Sequence, residues 1–404
     1  MRIAMVSEHA SPLATLGGVD AGGQNVHVAH LARALAQLGH DVTVFTRRDD
    51  VSLPRRVWMQ QRVRVVHVDA GPPEPLPKDD LLQYMGEMAA NMRRDVARYR
   101  PEIVHAHFWM SGVATMGVAR PAGLATAVTF HALGSVKRQQ QGAKDTSPRE
   151  RITIERAVAR AAQCVLATSN EEVFELVRLG VHRSQIALVP CGVDTAQFTP
   201  DGPADARGTA AHRIVVVSRL VERKGIGNVI AALANVPGAE LVIAGGPDPA
   251  RLGDDAEAVR LDRVARAYGV RDRVELRGRV ARQDVPSLIR SADVVACTPW
   301  YEPFGMVALE AMACGVPVVA SAVGGLVDTV IDGVTGALVP PRDVDSLARV
   351  LRELLASPER RARLGHAGMQ RARARYDWSS IASDTARAYA GAVAHASRRV
   401  RRVG

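Results

Sequence analysis

The sequence predicts an α/β protein made of two successive parallel-sheet halves. Three observations carry this. The chain has 404 residues, and at roughly 150 residues per domain such a length suggests two or three domains, each able to bury a core. Short runs rich in Val and Ile alternate with longer segments of helical period, the pattern of βαβ units. That alternation breaks at Pro200-Asp201-Gly202-Pro203-Ala204-Asp205, a polar stretch without period that reads as an interdomain linker, and then resumes.

In the first half, strands are expected at residues 3–7, 41–46, 63–68, 103–107, 127–130, 164–167 and 186–189. Helical segments at 25–38, 81–99 and 150–162 lie between them, and Gly39 is the stop signal after the first. Beyond the linker, strands are expected at 213–218, 240–244, 274–277, 294–297, 318–321 and 336–339. The expected domains are therefore 1–198 and 207–377. An Ala-rich segment from Trp378 reads as a last helix and ends in the basic tail Arg398-Arg399-Val400-Arg401-Arg402, expected to be solvated.

Composition removes several classes of function. With 52 Lys and Arg against 42 Asp and Glu, the formal charge is +10, which favours anionic partners. Aromatic residues make up 4% of the chain, too few for strand binding by base stacking, and no nucleic acid partner is expected. Cys164, Cys191, Cys297 and Cys314 form no CxxC pair and no zinc spacing, so four thiols in a reducing compartment are expected. The chain opens directly on a strand and has no apolar run of the roughly 18 residues that a membrane span requires, which predicts a cytoplasmic protein.

The densest chemical signal is Trp300-Tyr301-Glu302-Pro303-Phe304-Gly305-Met306-Val307-Ala308-Leu309-Glu310. It follows the expected strand 294–297, at the strand end where open α/β sheets bind ligands. Phe304-Gly305-Met306 would start a helix whose free N–H groups can hold hydroxyls or anionic oxygens. Glu310 then falls about 12 Å further along the axis at 1.5 Å per residue, so the two carboxylates can serve different parts of one ligand. Its apolar flanks imply a specific partner. Ser218-Arg219-Leu220-Val221-Glu222-Arg223-Lys224-Gly225 places cations in another βα loop, suited to a diphosphate. In the first half, Asp20-Ala21-Gly22-Gly23-Gln24-Asn25-Val26 lets backbone approach a phosphate or sugar closely, and it lacks the GxGxxG pattern of dinucleotide enzymes. His131 follows another strand; a neutral imidazole both donates to and accepts from hydroxyls.

The two glutamates, with seven residues between them, resemble the Glu-x7-Glu motif of the family 4 glycosyltransferases, and Arg219…Lys224-Gly225 resembles their Arg…Lys-Gly segment. The Gly22-Gly23 loop resembles that of sucrose and sucrose-phosphate synthases and of the inositol-phosphate N-acetylglucosaminyltransferases of mycothiol synthesis. The resemblance covers residues 1 to about 380. It implies the GT-B fold: two facing Rossmann-like domains with a deep cleft between them, and a C-terminal helix, about 378–397, crossing back to the first. It also implies a retaining hexosyltransferase using a nucleotide-sugar, UDP-sugar first, and a small polar acceptor.

By the same resemblance, His131 and Glu302 are the catalytic candidates. Gly23, Arg219, Lys224, Phe304, Gly305, Met306 and Glu310 would bind the donor, and Asn25, Lys78 and Arg151 the acceptor. No metal or other cofactor is expected, since Arg219 and Lys224 can supply the electrostatic compensation. The usual proposal for the family is front-face departure assisted by the leaving phosphate. Two positions depart from the mycothiol pattern: Phe108 stands for a Tyr and Ala132 for a Thr. Both remove hydroxyl donors and count against an inositol phosphate, while Lys78, Lys137, Arg138 and Arg151 keep the region basic. A sugar-nucleotide epimerase on the same architecture, or a membrane-surface mannosyltransferase using GDP-mannose, are the alternatives. A membrane is not the favoured partner, and a homodimer is compatible with the sequence.

Overall fold

The computed structural model describes residues 1–14 and 22–403, with side chains through Arg398. Asp20, Ala21 and the side chains of Arg399, Arg401 and Arg402 thus lie outside the described residues. The chain divides into two units: residues 1–191 with 378–404, and residues 192–377.

The first unit holds an eight-stranded sheet. In chain order its strands are β1 (Arg2–Val6), β2 (Asp41–Arg47), β3 (Arg56–Gln60), β4 (Val63–Val68), β5 (Ile103–His107), β6 (Ala125–Thr129), β7 (Cys164–Ala167) and β8 (Ile186–Leu188). Their spatial order is β3-β4-β2-β1-β5-β6-β7-β8. Pairing is parallel throughout except for β3 on β4. The inner strands read as continuous apolar runs because helices cover both faces: Ile3, Ala4, Met5 and Val6 are all fully buried. β3 is a strand that sequence reading missed. Its apolar run is only the three residues Val57-Trp58-Met59, flanked by Arg and Gln; it sits at the sheet edge, and it leaves Trp58 67% exposed.

The second unit is a six-stranded parallel sheet in the order β11-β10-β9-β12-β13-β14. Its strands are β9 (His212–Val217), β10 (Ala239–Ala244), β11 (Val274–Gly278), β12 (Val294–Cys297), β13 (Val318–Ser321) and β14 (Gly336–Val339). Ile214, Leu241, Val294 and Val319 join Val229, Leu261 and Leu351 of the flanking helices in its core.

The expected boundaries require correction. The first segment stops at Cys191, not 198, and the second unit starts at Gly192, not 207. The supposed linker is pinned within the second unit. Asp205 accepts hydrogen bonds from Ser287 and Arg277, and Arg290 donates to the carbonyls of Pro203 at 2.7 Å and Thr199 at 3.0 Å. Polar, Pro-rich composition here marks a segment held by backbone carbonyls rather than a hinge. The helix Trp378–Val403 returns to the first unit, where Trp378, Ile381, Ala382 and Tyr389 enter the same core as Val28, Leu31 and Ile103. No helix among the described residues is long and apolar enough to cross a membrane. Among the described residues no cysteine forms a disulfide; Cys297 is half-buried and the other three are buried.

Candidate active site

Each sheet has one place where strand order reverses, and there the loops leaving neighbouring strands run to opposite sides and open a crevice. In the second unit this is between β9 and β12. The loop after β9 carries Arg219 and Lys224; the loop after β12 carries Trp300 to Gly305. They are tied together by the Trp300 N–H, which donates to the Arg223 carbonyl at 2.8 Å. Gly225, at φ 69°, is packed so closely that a Cβ there would collide with the Thr298 carbonyl.

This packing brings Lys224 onto Glu302 in a partly buried ion pair. Burial alone would raise the Glu302 carboxyl, but Lys224, by charge and hydrogen bond, and Arg223 outweigh it and hold it below the usual range. Arg219 is exposed and makes no ion pair among the described residues. Phe304 is buried. Gly305, at φ 87°, caps the helix Met306–Ala313, and its N–H lies 3.4 Å from the other Glu302 oxygen.

Glu310 lies on the same helix, buried, with one oxygen 2.6 Å from the Arg282 guanidinium. Its second oxygen is buried without a hydrogen-bond partner. Burial raises its carboxyl above the ordinary range, and Arg282 offsets only part of that. A half-paired carboxylate of this kind is poised to accept from one more donor. Arg282 was not foreseen from the sequence; 28 residues separate it from Glu310, and no local pattern links them.

In the first unit the reversal lies between β1 and β5. The helix Gly23–Gln37 starts after β1, two residues earlier than expected, because the Gly22 N–H donates to the Asn25 side-chain oxygen at 3.0 Å. Asn25 also donates to the Ser11 carbonyl, so its amide holds the loop together. Gly23 is exposed at this helix start. Gln24 bridges the two strand ends, donating to the Ser7 hydroxyl at 3.2 Å and the His107 carbonyl at 3.1 Å.

Phe108 and His131 follow β5 and β6, and both have left-handed backbones, at φ 85° and 60°. For a Phe this is costly, and such strain concentrates where a side chain must be aimed. The Phe108 N–H is anchored on the Thr129 carbonyl at 2.8 Å. Lys78 and Arg151 approach the Phe108 ring at 5.4 and 5.1 Å. Arg151 is fully engaged: its three nitrogens bond Glu155 at 2.7 Å, Ser147 at 3.1 Å and the Ala132 carbonyl at 2.6 Å. It therefore braces the loop that carries His131.

His131 Nε2 lies 3.0 Å from His107 Nδ1, and the two rings are stacked. His105 lies on the same face of β5 as His107, as i and i+2 positions must, and is held by the Tyr389 hydroxyl at 2.6 Å and Thr129 at 2.9 Å. Burial, and then the neighbouring imidazoles, push His107 and His131 well below the usual histidine range, so both are neutral. His107 Nε2 is buried without a partner. An orphaned acceptor costs less than an orphaned N–H, so the proton belongs on His107 Nδ1 and donates to His131. His131 then carries its own proton on Nδ1. The His-x-His spacing at a strand end was visible in the sequence and was the signal for this support.

The two crevices thus gather the expected residues into two groups, one in each unit. Residues 21–197 match the family model for "Glycosyltransferase Family 4", and residues 206–371 match that for "Glycosyl transferases group 1". The chain is a glycosyltransferase of this family 4 type with the GT-B fold. Among particular proteins, it is 39% identical to the D-inositol 3-phosphate glycosyltransferase of Xylanimonas cellulosilytica over 97% of both chains. It is 36% identical to the protein of that name from Kribbella flavida, over 96% of this chain and 95% of that one. The structure of sucrose-phosphate synthase from Thermosynechococcus elongatus aligns at TM-score 0.87 and 34% identity, covering 98% of this chain and all of that one.

Proposed function

We propose that the chain is a retaining hexosyltransferase that uses a nucleotide diphosphate sugar, UDP-sugar first, and a small polar acceptor carrying a phosphate. The observation that carries the donor half is the cluster at the β9–β12 crevice: unpaired Arg219, Lys224 on Glu302, and Glu310 with one oxygen lacking a partner. In this reading Arg219 and Lys224 take the charge of the departing diphosphate. The helix start at Gly305-Met306 and the side of Phe304 hold the sugar and its phosphate, and Glu310 accepts from a ribose hydroxyl.

His131 contacts the transferred hexose, Gly23 gives the diphosphate a close backbone approach, and Glu302 orients sugar hydroxyls and Lys224. The bond from the anomeric carbon to the β-phosphate oxygen breaks. The acceptor oxygen forms its bond on the same face, and its proton passes to the leaving phosphate. No metal enters this scheme. Lys78 receives the acceptor phosphate, with Asn25 and Arg151 holding the loops around it. The inositol-phosphate relatives favour a phosphorylated polyol, whereas Phe108 and Ala132 remove hydroxyl donors and favour a differently placed phosphate.

The test is nucleotide release from UDP-, GDP- and ADP-sugars, with and without inositol phosphates and hexose phosphates, in the presence of EDTA. Release from one donor that rises with one phosphorylated acceptor is expected. A product with inverted anomeric configuration would overturn the retaining scheme, and loss of activity in EDTA the metal-free one. Epimerised donor formed without any acceptor would replace transfer by isomerisation, and transfer only to lipid in vesicles would replace the soluble acceptor.

A further inference from the structure

Apart from these crevices, the first unit contains a cavity of about 220 Å³ lined by Arg56, Arg64, Asp95, Arg98 and Tyr99. It lies between β3, β4 and the helix Met85–Tyr99. The Tyr99 hydroxyl donates to the Asp41 carbonyl at the start of β2, and Arg64 is the second residue of β4. The cavity is therefore at the amino-terminal ends of the strands, whereas the substrate loops leave their carboxy-terminal ends.

Its charge is one-sided. Asp95 is the one acidic lining residue, and both of its oxygens are taken: Arg56 holds one at 2.5 Å and Arg55 the other at 2.8 Å. Arg64 and Arg98 have no carboxylate among the described residues. Arg98 is exposed and makes no side-chain hydrogen bond or ion pair among the described residues. Arg64 is preset: its guanidinium lies 5.5 Å from the Tyr99 ring and 5.8 Å from the Trp58 ring, and one nitrogen donates to Thr43 at 3.1 Å. Its Nε is buried without an acceptor. Two guanidinium groups without a carboxylate partner leave the cavity with uncompensated positive charge, and an oxyanion is the ligand that meets it.

We propose that this cavity binds a phosphate-class anion, either a free phosphate monoester or a phospholipid headgroup, through Arg64, Arg98 and Arg56. Arg64 supplies a preset guanidinium, Arg98 closes over the outer oxygens, and Trp58, largely exposed, reports occupancy because the Arg64 guanidinium lies over its ring.

The experiment follows tryptophan emission of the full-length protein against inorganic phosphate, with chloride at matched ionic strength as the reference. Trp58→Phe identifies the part of the signal that belongs to this cavity. A saturable, phosphate-specific change that vanishes in Trp58→Phe is expected. Arg64→Gln and Arg98→Gln should each weaken it about tenfold, and Arg98→Gln, a change at an exposed side chain without partners, should leave the melting temperature and sugar transfer unaltered. Parallel titrations with phosphatidylcholine vesicles, with and without phosphatidic acid, separate the sources. Saturation by free phosphate alone assigns a soluble ligand, and a response only to phosphatidic acid assigns a headgroup. An identical response to chloride and phosphate, or affinity unchanged in both arginine variants, overturns the proposal.

Discussion

His131 has no freedom to wander: a left-handed backbone aims it, Arg151 braces the next residue, Ala132, through its carbonyl, and His107 fixes its tautomer. His131→Ala should lower kcat about 10- to 100-fold, the effect of one strong hydrogen bond lost in the transition state, while nucleotide affinity measured by calorimetry stays the same. His107 offers a sharper check. An Asn side-chain amide reproduces an Nδ1–H donor, so His107→Asn should retain most of the turnover that His107→Ala loses, with KM for the donor unchanged in both. Equal losses in the two variants would reduce His107 to packing. In the other unit, Lys224→Ala should weaken UDP binding about tenfold or more, because the diphosphate loses a charge-assisted partner and Glu302 is left uncompensated. Glu302 and Lys224 were legible individually from their motif, but their direct pairing was not, since it depends on how two loops 78 residues apart meet.

At the scale of elements, the strand-to-loop junctions decide the site. Gly225 is where the loop after β9 touches the loop after β12. Gly225→Ala would set a Cβ against a carbonyl on a backbone that favours glycine, with a cost of several kcal/mol, about 3 or more. It should lower expression or melting temperature, as well as UDP binding; a variant with native stability would show that the loops can part without loss. The inner strands were readable because burial on both faces leaves an unbroken Val/Ile run, as in β9 and β12. β3 was not, because an edge strand needs no such run, and the 200–205 stretch misled because its partners, Ser287 and Arg290, are distant in sequence. Asn25 was legible as the first residue of a helix and not as the side chain that caps that helix.

For the molecule as a whole, buried histidines couple stability to pH. His27 is pushed down to about 4 and His105 to about 3, chiefly by burial, and His107 and His131 are lowered in the same way. In the unfolded chain these imidazoles take up protons near their usual value of about 6.5, while the folded protein does not. Their neutral burial is therefore fully tolerated above that pH, and stability falls as pH drops toward 4. The first unit should melt several degrees lower at pH 5 than at pH 7.5, followed by hydrogen exchange at β5 and β6; equal protection at both values would contradict neutral burial. The helix beginning at Trp378 supplies core residues to a sheet whose strands were all made by residue 188. The second unit, by contrast, is a single continuous stretch of chain. On the ribosome, the half that emerges first is thus the last to be finished. Throughout translation of the intervening 186 residues its groove beside Val28, Leu31 and His105 stays open, and a chaperone binding the nascent chain would find its apolar target there.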